Sequence, residues 1–217
     1  MRVFHVSPDR LARLLYPETL AFLLGLTALL VVVSLLVRSR AALTLDLKVT
    51  RSLQMLDTPI YTAASKWLTF MGNSLTVCIS AIAAAAISIY CEQGRAAFFI
   101  LCTLLALPIN ILLKNMFDRE RPGAHEVRVL PGPRWGFSYP SGHSMGAAAF
   151  YGFLAFLIFL LVSDLITRVL LVGFFSLLPI GVGFSRIYLG AHWYSDVVGG
   201  LTGGMILVAI LAALFPV

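Results

Sequence analysis

Six stretches of this chain, near residues 18–37, 74–91, 96–114, 143–163, 167–185 and 194–215, are apolar and almost free of charge. Each is close to the ~20 residues that a helix needs to cross the hydrocarbon core of a bilayer. Inside lipid every backbone N–H and C=O must find its partner within the protein, so apolar runs of this length form helices. Only 12% of the residues are charged and 59% are hydrophobic, against about 25% charged in soluble domains. A soluble core is therefore excluded. The sequence predicts an all-α integral membrane protein, one domain over residues 1–217, with six transmembrane helices.

The connections differ in character. Residues 7–16, "SPDRLARLLY", start with a Ser-Pro helix signal. They place Leu11, Leu14 and Leu15 on one face and Arg10 and Arg13 on the other, which predicts a short interfacial helix. The first apolar run begins only near Glu18 and lacks a small-residue cleavage site, so a cleavable signal is not expected. Segment 38–73 is amphipathic and predicts interfacial helices on the membrane surface, broken from the second span by Gly72-Asn73. Short polar links, "EQGR" and "SDLITR", follow spans two and four. The link 115–142 is longer, 28 residues rich in Gly, Pro and Arg, and loops of that length are commonly functional.

Six spans put both termini on one side and links 38–73, 115–142 and "GAHWY" on the other. Trp67, Trp135 and Trp193 fall on that second face, as an interfacial aromatic belt would place them. Arg2, Arg10 and Arg13 before the first span, against Arg38 and Arg40 after it, mildly favour a cytoplasmic N-terminus, while the total Lys/Arg count points the other way. The net charge of +6 divides between attraction to anionic headgroups and cations of a site. Cys78, Cys91 and Cys102 form no C-x-x-C pair and are expected to be free, packed thiols.

Three stretches on the loop-rich face carry the unusual residues. In "KNMFDRERP" (114–122) Lys114 and Arg121 are seven apart, so a continuous helix would show them on one face two turns apart, able to grip a multiply charged anion. In "YPSGHS" (139–144) Ser141 is an expected N-cap. Gly142 lets a ligand approach the backbone, and the free N–H groups of the following turn favour an anion beside His143. In "SRIYLGAHWYSD" (185–196) His192 and Asp196 are at i and i+4. A carboxylate there accepts the imidazole Nδ1–H and leaves Nε2 as a nucleophile. Arg186 stands at the end of the fifth span, where an unpaired charge is costly, about 2.5–3.5 kcal/mol at mid-bilayer. Each stretch alone also reads as an ordinary helix end. Brought to one face together, they describe phosphoryl transfer stabilised by positioned cations, with no residue spacing that would hold a metal.

The ordered set K-x6-R-P, P-S-G-H and S-R-x5-H-x3-D resembles the type 2 phosphatidic acid phosphatase (lipid phosphate phosphatase) superfamily, which also contains vanadium haloperoxidases. The resemblance implies that His192 attacks phosphorus to give a phosphohistidine, that Asp196 orients it, and that His143 protonates the leaving oxygen. It implies that Lys114, Arg121, Ser141, Gly142 and Arg186 hold the phosphoryl oxygens. Asp118 and Glu120 depart from the neutral residue and proline common in bacterial relatives, and are expected to point away or to pair with Arg119. His5 and His125 match nothing and are expected at the surface.

By the same resemblance the chain is expected to be a lipid phosphatase needing neither metal nor cofactor. Its partners would be a lipid phosphate and the bilayer, not nucleic acid. The substrates expected among bacterial relatives are undecaprenyl diphosphate, phosphatidylglycerol phosphate and phosphatidic acid. The site would face away from the cytoplasm of a bacterial inner membrane, with both termini cytoplasmic. A lipid phosphotransferase would use the same residues. A channel or transporter is the remaining alternative, but its ionisable residues would line a path across the membrane.

Overall fold

Residues 14–130 and 136–215 are described by a computed structural model, and they contain helices and no strands. The expected helix at 7–16, His5 and Trp135 fall wholly or almost wholly outside the described residues. Helix α1 (Pro17–Arg38) begins with Pro17 in its first turn, where the missing N–H costs nothing. Glu18 and Arg38 complement its dipole at the two ends. Two shorter helices follow, α2 (Leu43–Gln54) and α3 (Pro59–Met71), the latter capped by Thr58. Then come α4 (Ser74–Tyr90), capped by Asn73, and α5 (Gly94–Cys102), which runs through a 3-10 turn into α6 (Ala106–Phe117). The last three are α7 (Gly142–Leu161), α8 (Leu165–Tyr188) and α9 (Tyr194–Leu214).

Five units are long and apolar enough to cross a membrane: α1, α5–α6, α7, α8 and α9. The sixth expected span is a bent pair, α3 and α4, whose axes meet at 56° across Gly72-Asn73. Within segment 38–73, α3 packs along α8, and Gly72 at its end lies against Val182. The chain is an integral membrane protein. Many large apolar side chains of α1 and α8, such as Leu24, Leu35, Leu170 and Leu177, face outward, as helices bathed in lipid require.

Helix α7 is the centre of the bundle, with Ala147, Ala149 and Phe153 fully buried. Its partners are chiefly α8 and α9. Apolar lipid gives helices no hydrophobic reason to associate, so packing depends on how closely the backbones approach. Along α7 and α9 they approach at small residues. A Cβ on Gly200 would stand 2.5 Å from the Ser141 carbonyl oxygen, and one on Gly204 2.6 Å from both the Met145 carbonyl oxygen and the Ala148 Cβ. This seam sets the spacing between the two helix N-termini that carry the site.

Two further expectations are corrected. Trp193 is 3% exposed and donates Nε1–H to the Glu120 carbonyl at 3.2 Å, so it is a packing residue, while Trp67 is exposed. The three cysteines are free, but Cys91 is exposed at the end of α4, where the chain turns.

Candidate active site

Four helix ends and the segments 118–130 and 136–141 meet at one end of the bundle. Helix α6 does not continue to Arg121. It stops at Phe117, because Asp118 adopts φ +45°, a left-handed cap. Lys114 and Arg121 therefore do not share a helical face. They converge by another route, on one carbonyl: Lys114 Nζ donates to the Phe137 oxygen at 2.5 Å and Arg121 Nη2 to the same atom at 3.3 Å. Arg121 Nε also donates to the Gly136 oxygen at 3.0 Å and Nη1 to the Ala191 oxygen at 2.8 Å.

His192 lies in the turn before α9, not on it. Asp196 is in the first turn of α9, and its Oδ2 caps the helix by accepting the Trp193 N–H at 2.8 Å. The pair therefore meets across an N-terminal turn, with His192 Nδ1 3.4 Å from Asp196 Oδ2. On the other side of the ring, Nε2 is 3.1 Å from Arg121 Nη1. A guanidinium only donates, so Nε2 is the accepting nitrogen and Nδ1 carries the proton. Burial, then the positive charges of Arg186, Arg121 and Lys114, hold the imidazole well below the usual histidine range; a backbone hydrogen bond with Ser138 opposes them weakly. His192 is thus a neutral base with its lone pair turned toward a cation.

His143 is the second residue of α7, half-buried, and lies in electrostatic range of Arg186, His192, Arg121 and Lys114. Arg186 is 3% exposed, and its Nη1 donates to Thr69 Oγ1 of α3 at 2.6 Å. The bend of the sixth unit thereby contributes a side chain to the site. Ser141 is the N-cap of α7 and fully buried. Its hydroxyl is taken up by Ser144 Oγ at 3.0 Å and Ser144 N–H at 3.4 Å, so it serves the helix. Gly142 has a neighbour other than a ligand: a Cβ there would stand 2.8 Å from Asn110 Oδ1. Asn110 Nδ2 donates to the Pro140 oxygen at 3.1 Å, fixing the turn.

Arg119 does not pair with Asp118 or Glu120. Its Nη1 donates to Asp196 Oδ1 at 2.6 Å and its Nη2 to Asp46 Oδ2 of α2 at 2.6 Å. Asp118 and Glu120 are exposed and line a cavity of about 420 Å³ with Arg38, Arg40 and Arg121. Asp46, Thr69, Arg119, Ser138 and Ser195 belong to the site's surroundings and were not expected there. One signal for Asp46 was available: Asp46, Thr50 and Gln54 recur every four residues on α2, and that polar stripe faces the protein.

The PAP2 superfamily model matches residues 95–216, which include every expected site residue. A phosphatidylglycerophosphatase B of Bacillus subtilis is 35% identical over 104 residues, 46% of this chain and 47% of that protein's length, so the matched part spans about half of that relative. The fold is similar to the crystal structure of the transmembrane PAP2-type phosphatidylglycerolphosphate phosphatase from Bacillus subtilis, with TM-score 0.78 and 22% identity over 87% of this chain and 93% of that one. It is similar also to Aquifex aeolicus LpxE, with TM-score 0.60 and 22% identity over 77% of this chain and 94% of that one.

Proposed function

The chain belongs to the PAP2 superfamily, and on that premise we propose that it is a membrane lipid phosphatase acting through a phosphohistidine on His192. The observation that carries this reading is the 3.1 Å contact from Arg121 Nη1 to His192 Nε2, which puts a lone pair beside a phosphate-binding type of cation. The substrate is a lipid mono- or diphosphate whose tail stays in the bilayer. Phosphatidylglycerol phosphate leads the candidates, since the Bacillus subtilis relative and solved structure are named for it; undecaprenyl diphosphate and phosphatidic acid follow.

In the first step Nε2 attacks phosphorus and the bond to the lipid oxygen breaks. His143 gives its proton to that leaving oxygen, while Asp196 accepts the Nδ1–H and holds the ring charge that develops. Lys114, Arg121 and Arg186 carry the charge of the phosphoryl oxygens, with the N-terminal turn of α7, begun by Ser141 and Gly142, aimed at the same anion. In the second step a water gives a proton to His143 and attacks phosphorus. The P–N bond breaks, and inorganic phosphate and neutral His192 are released. The site faces the extracytoplasmic side of a bacterial inner membrane, with both termini cytoplasmic.

The test is phosphate release by purified protein in EDTA from the three lipids, presented in mixed micelles. Release from at least one, abolished in His192→Ala, is expected. Release from none, or equal release by His192→Ala, overturns the proposal. Adding a second lipid alcohol tests transfer to an acceptor in place of water.

A further inference from the structure

Asp196 is fully buried, and its two oxygens are engaged on opposite sides. Oδ2 takes the Trp193 N–H and the Ser138 hydroxyl and stands 3.4 Å from His192 Nδ1, which has Ser138 Oγ at the same distance. Oδ1 takes Arg119 Nη1 at 2.6 Å. With Oδ2 anchored, the carboxylate plane is completed by what holds Oδ1. Arg119 is itself held at three further points. Its Nη2 bonds Asp46 Oδ2 at 2.6 Å, its Nη1 also donates to Ser195 Oγ at 2.7 Å, and its guanidinium carbon lies 5.9 Å over the Trp193 ring. Asp46 closes the frame by accepting the Ser195 N–H on Oδ1 and the Ser195 hydroxyl on Oδ2, both at 2.8 Å. A second path joins the same residues: the Ser138 N–H donates to the Arg119 carbonyl at 2.7 Å, and Ser138 Oγ donates to Asp196.

Two carboxylates that are both 0% exposed are joined through one guanidinium. Such a buried arrangement is weak support for stability, because well-packed apolar replacements often do as well or better. What it supplies is direction, since a planar fork satisfies two carboxylates in one geometry and an ammonium cannot. We infer that Arg119, anchored by Asp46, is a positioning residue that fixes the Asp196 carboxylate and through it the His192 ring, and so ties helix α2 to the reacting centre. Neither Arg119 nor Asp46 touches the phosphate in this assignment. The inference rests on the phosphohistidine reading for its kinetic part only.

The test uses the full-length protein in detergent, with Arg119→Gln, Arg119→Lys and Asp46→Asn beside wild type. Rapid-quench measurement of phosphoenzyme formation separates the rate constant from the active fraction. Arg119→Gln is expected to lower the rate constant about 10- to 100-fold, the usual range for a group that orients a reacting side chain, with KM nearly unchanged. Asp46→Asn shifts it in the same direction by a smaller factor, and Arg119→Lys recovers part of the loss. A second readout needs no turnover. In 15N-histidine NMR, with the His192 signal identified by its loss in His192→Asn, wild type shows protonated Nδ1 and bare Nε2, and Arg119→Gln shows mixed tautomers. Wild-type rate constants with an unchanged tautomer pattern overturn the inference, as does a loss of active fraction alone. If Arg119→Gln does not fold, the rate constant and tautomer pattern of Arg119→Lys and Asp46→Asn decide in its place. If wild type acts on no lipid phosphate, the functional proposal fails, and the tautomer pattern still supports or overturns the positioning role.

Discussion

His192 Nε2 accepts a hydrogen bond from Arg121 Nη1 at 3.1 Å, and that contact holds the tautomer of the ring together with the carboxylate on its other side. The proton is left on Nδ1, facing Asp196 Oδ2 at 3.4 Å. Removing the carboxylate's charge while keeping its shape should therefore act on the ring before it acts on the fold. Asp196→Asn is expected to lower kcat on the order of 10⁴-fold, as the equivalent change does in a His–Asp pair that holds a tautomer. Steady-state phosphate release checks this; a loss below tenfold would refute the pairing.

Arg121 holds carbonyl oxygens with three nitrogens in the present structure. Arg121→Lys keeps the charge and loses the fork. It is expected to reduce kcat/KM roughly 10- to 100-fold, the worth of one or more hydrogen bonds to a charged group. Vanadate, a phosphate mimic, should inhibit wild type and lose affinity in the same variant, measured by titration of the initial rate.

The pH dependence has a definite sign. His192 is held below its ordinary value of 6.5 by burial and three cations. The unfolded chain takes up a proton near 6.5 that the folded chain resists, so stability falls as pH drops below 6.5 toward the depressed value. The melting temperature in detergent should fall over that window, and less so in His192→Gln. The acid limb of kcat/KM should lie well below pH 6.5. An acid limb at or above pH 6.5 would refute the depressed His192.

Gly204→Val places a branched side chain where a single Cβ already meets the Ala148 Cβ and the Met145 oxygen at 2.6 Å, and the Ala149 nitrogen at 3.0 Å. Backbone atoms cannot move aside as a side-chain tip can. The variant should lose about 1–3 kcal/mol, read as a lower denaturation midpoint. Gly25→Ala, with nothing within 4 Å of the new atom, is the matched control and should leave the midpoint unchanged.

The apolar runs were legible because each must satisfy its own backbone in lipid, and length alone then identifies them. The bent α3–α4 pair was less so: α3 carries Lys66 and several polar residues and reads as a surface helix until its packing on α8 is seen. Lys114 and Arg121 were found for a reason that the structure replaces, since a left-handed Asp118 ends the helix between them. Asp46 and Arg119 stayed hidden because 73 positions separate them. The stripe of Asp46, Thr50 and Gln54 is visible in the sequence, but such a stripe usually marks a solvated face, and the fold turns it inward.

The seam of α7 and α9 has one more consequence. Ser141 N–H bonds the Asp196 carbonyl at 2.9 Å, so the turns that bear His143 and Asp196 are joined backbone to backbone. The separation of these two residues is thus machined into main chain, whereas the cavity beside them is walled by side chains, among them those of Asp118, Glu120, Arg38 and Arg40. On the phosphatase reading, substitutions at Asp118, Glu120, Arg38 or Arg40 should retune which headgroup is accepted while the main-chain spacing of His143 and Asp196 stays as built.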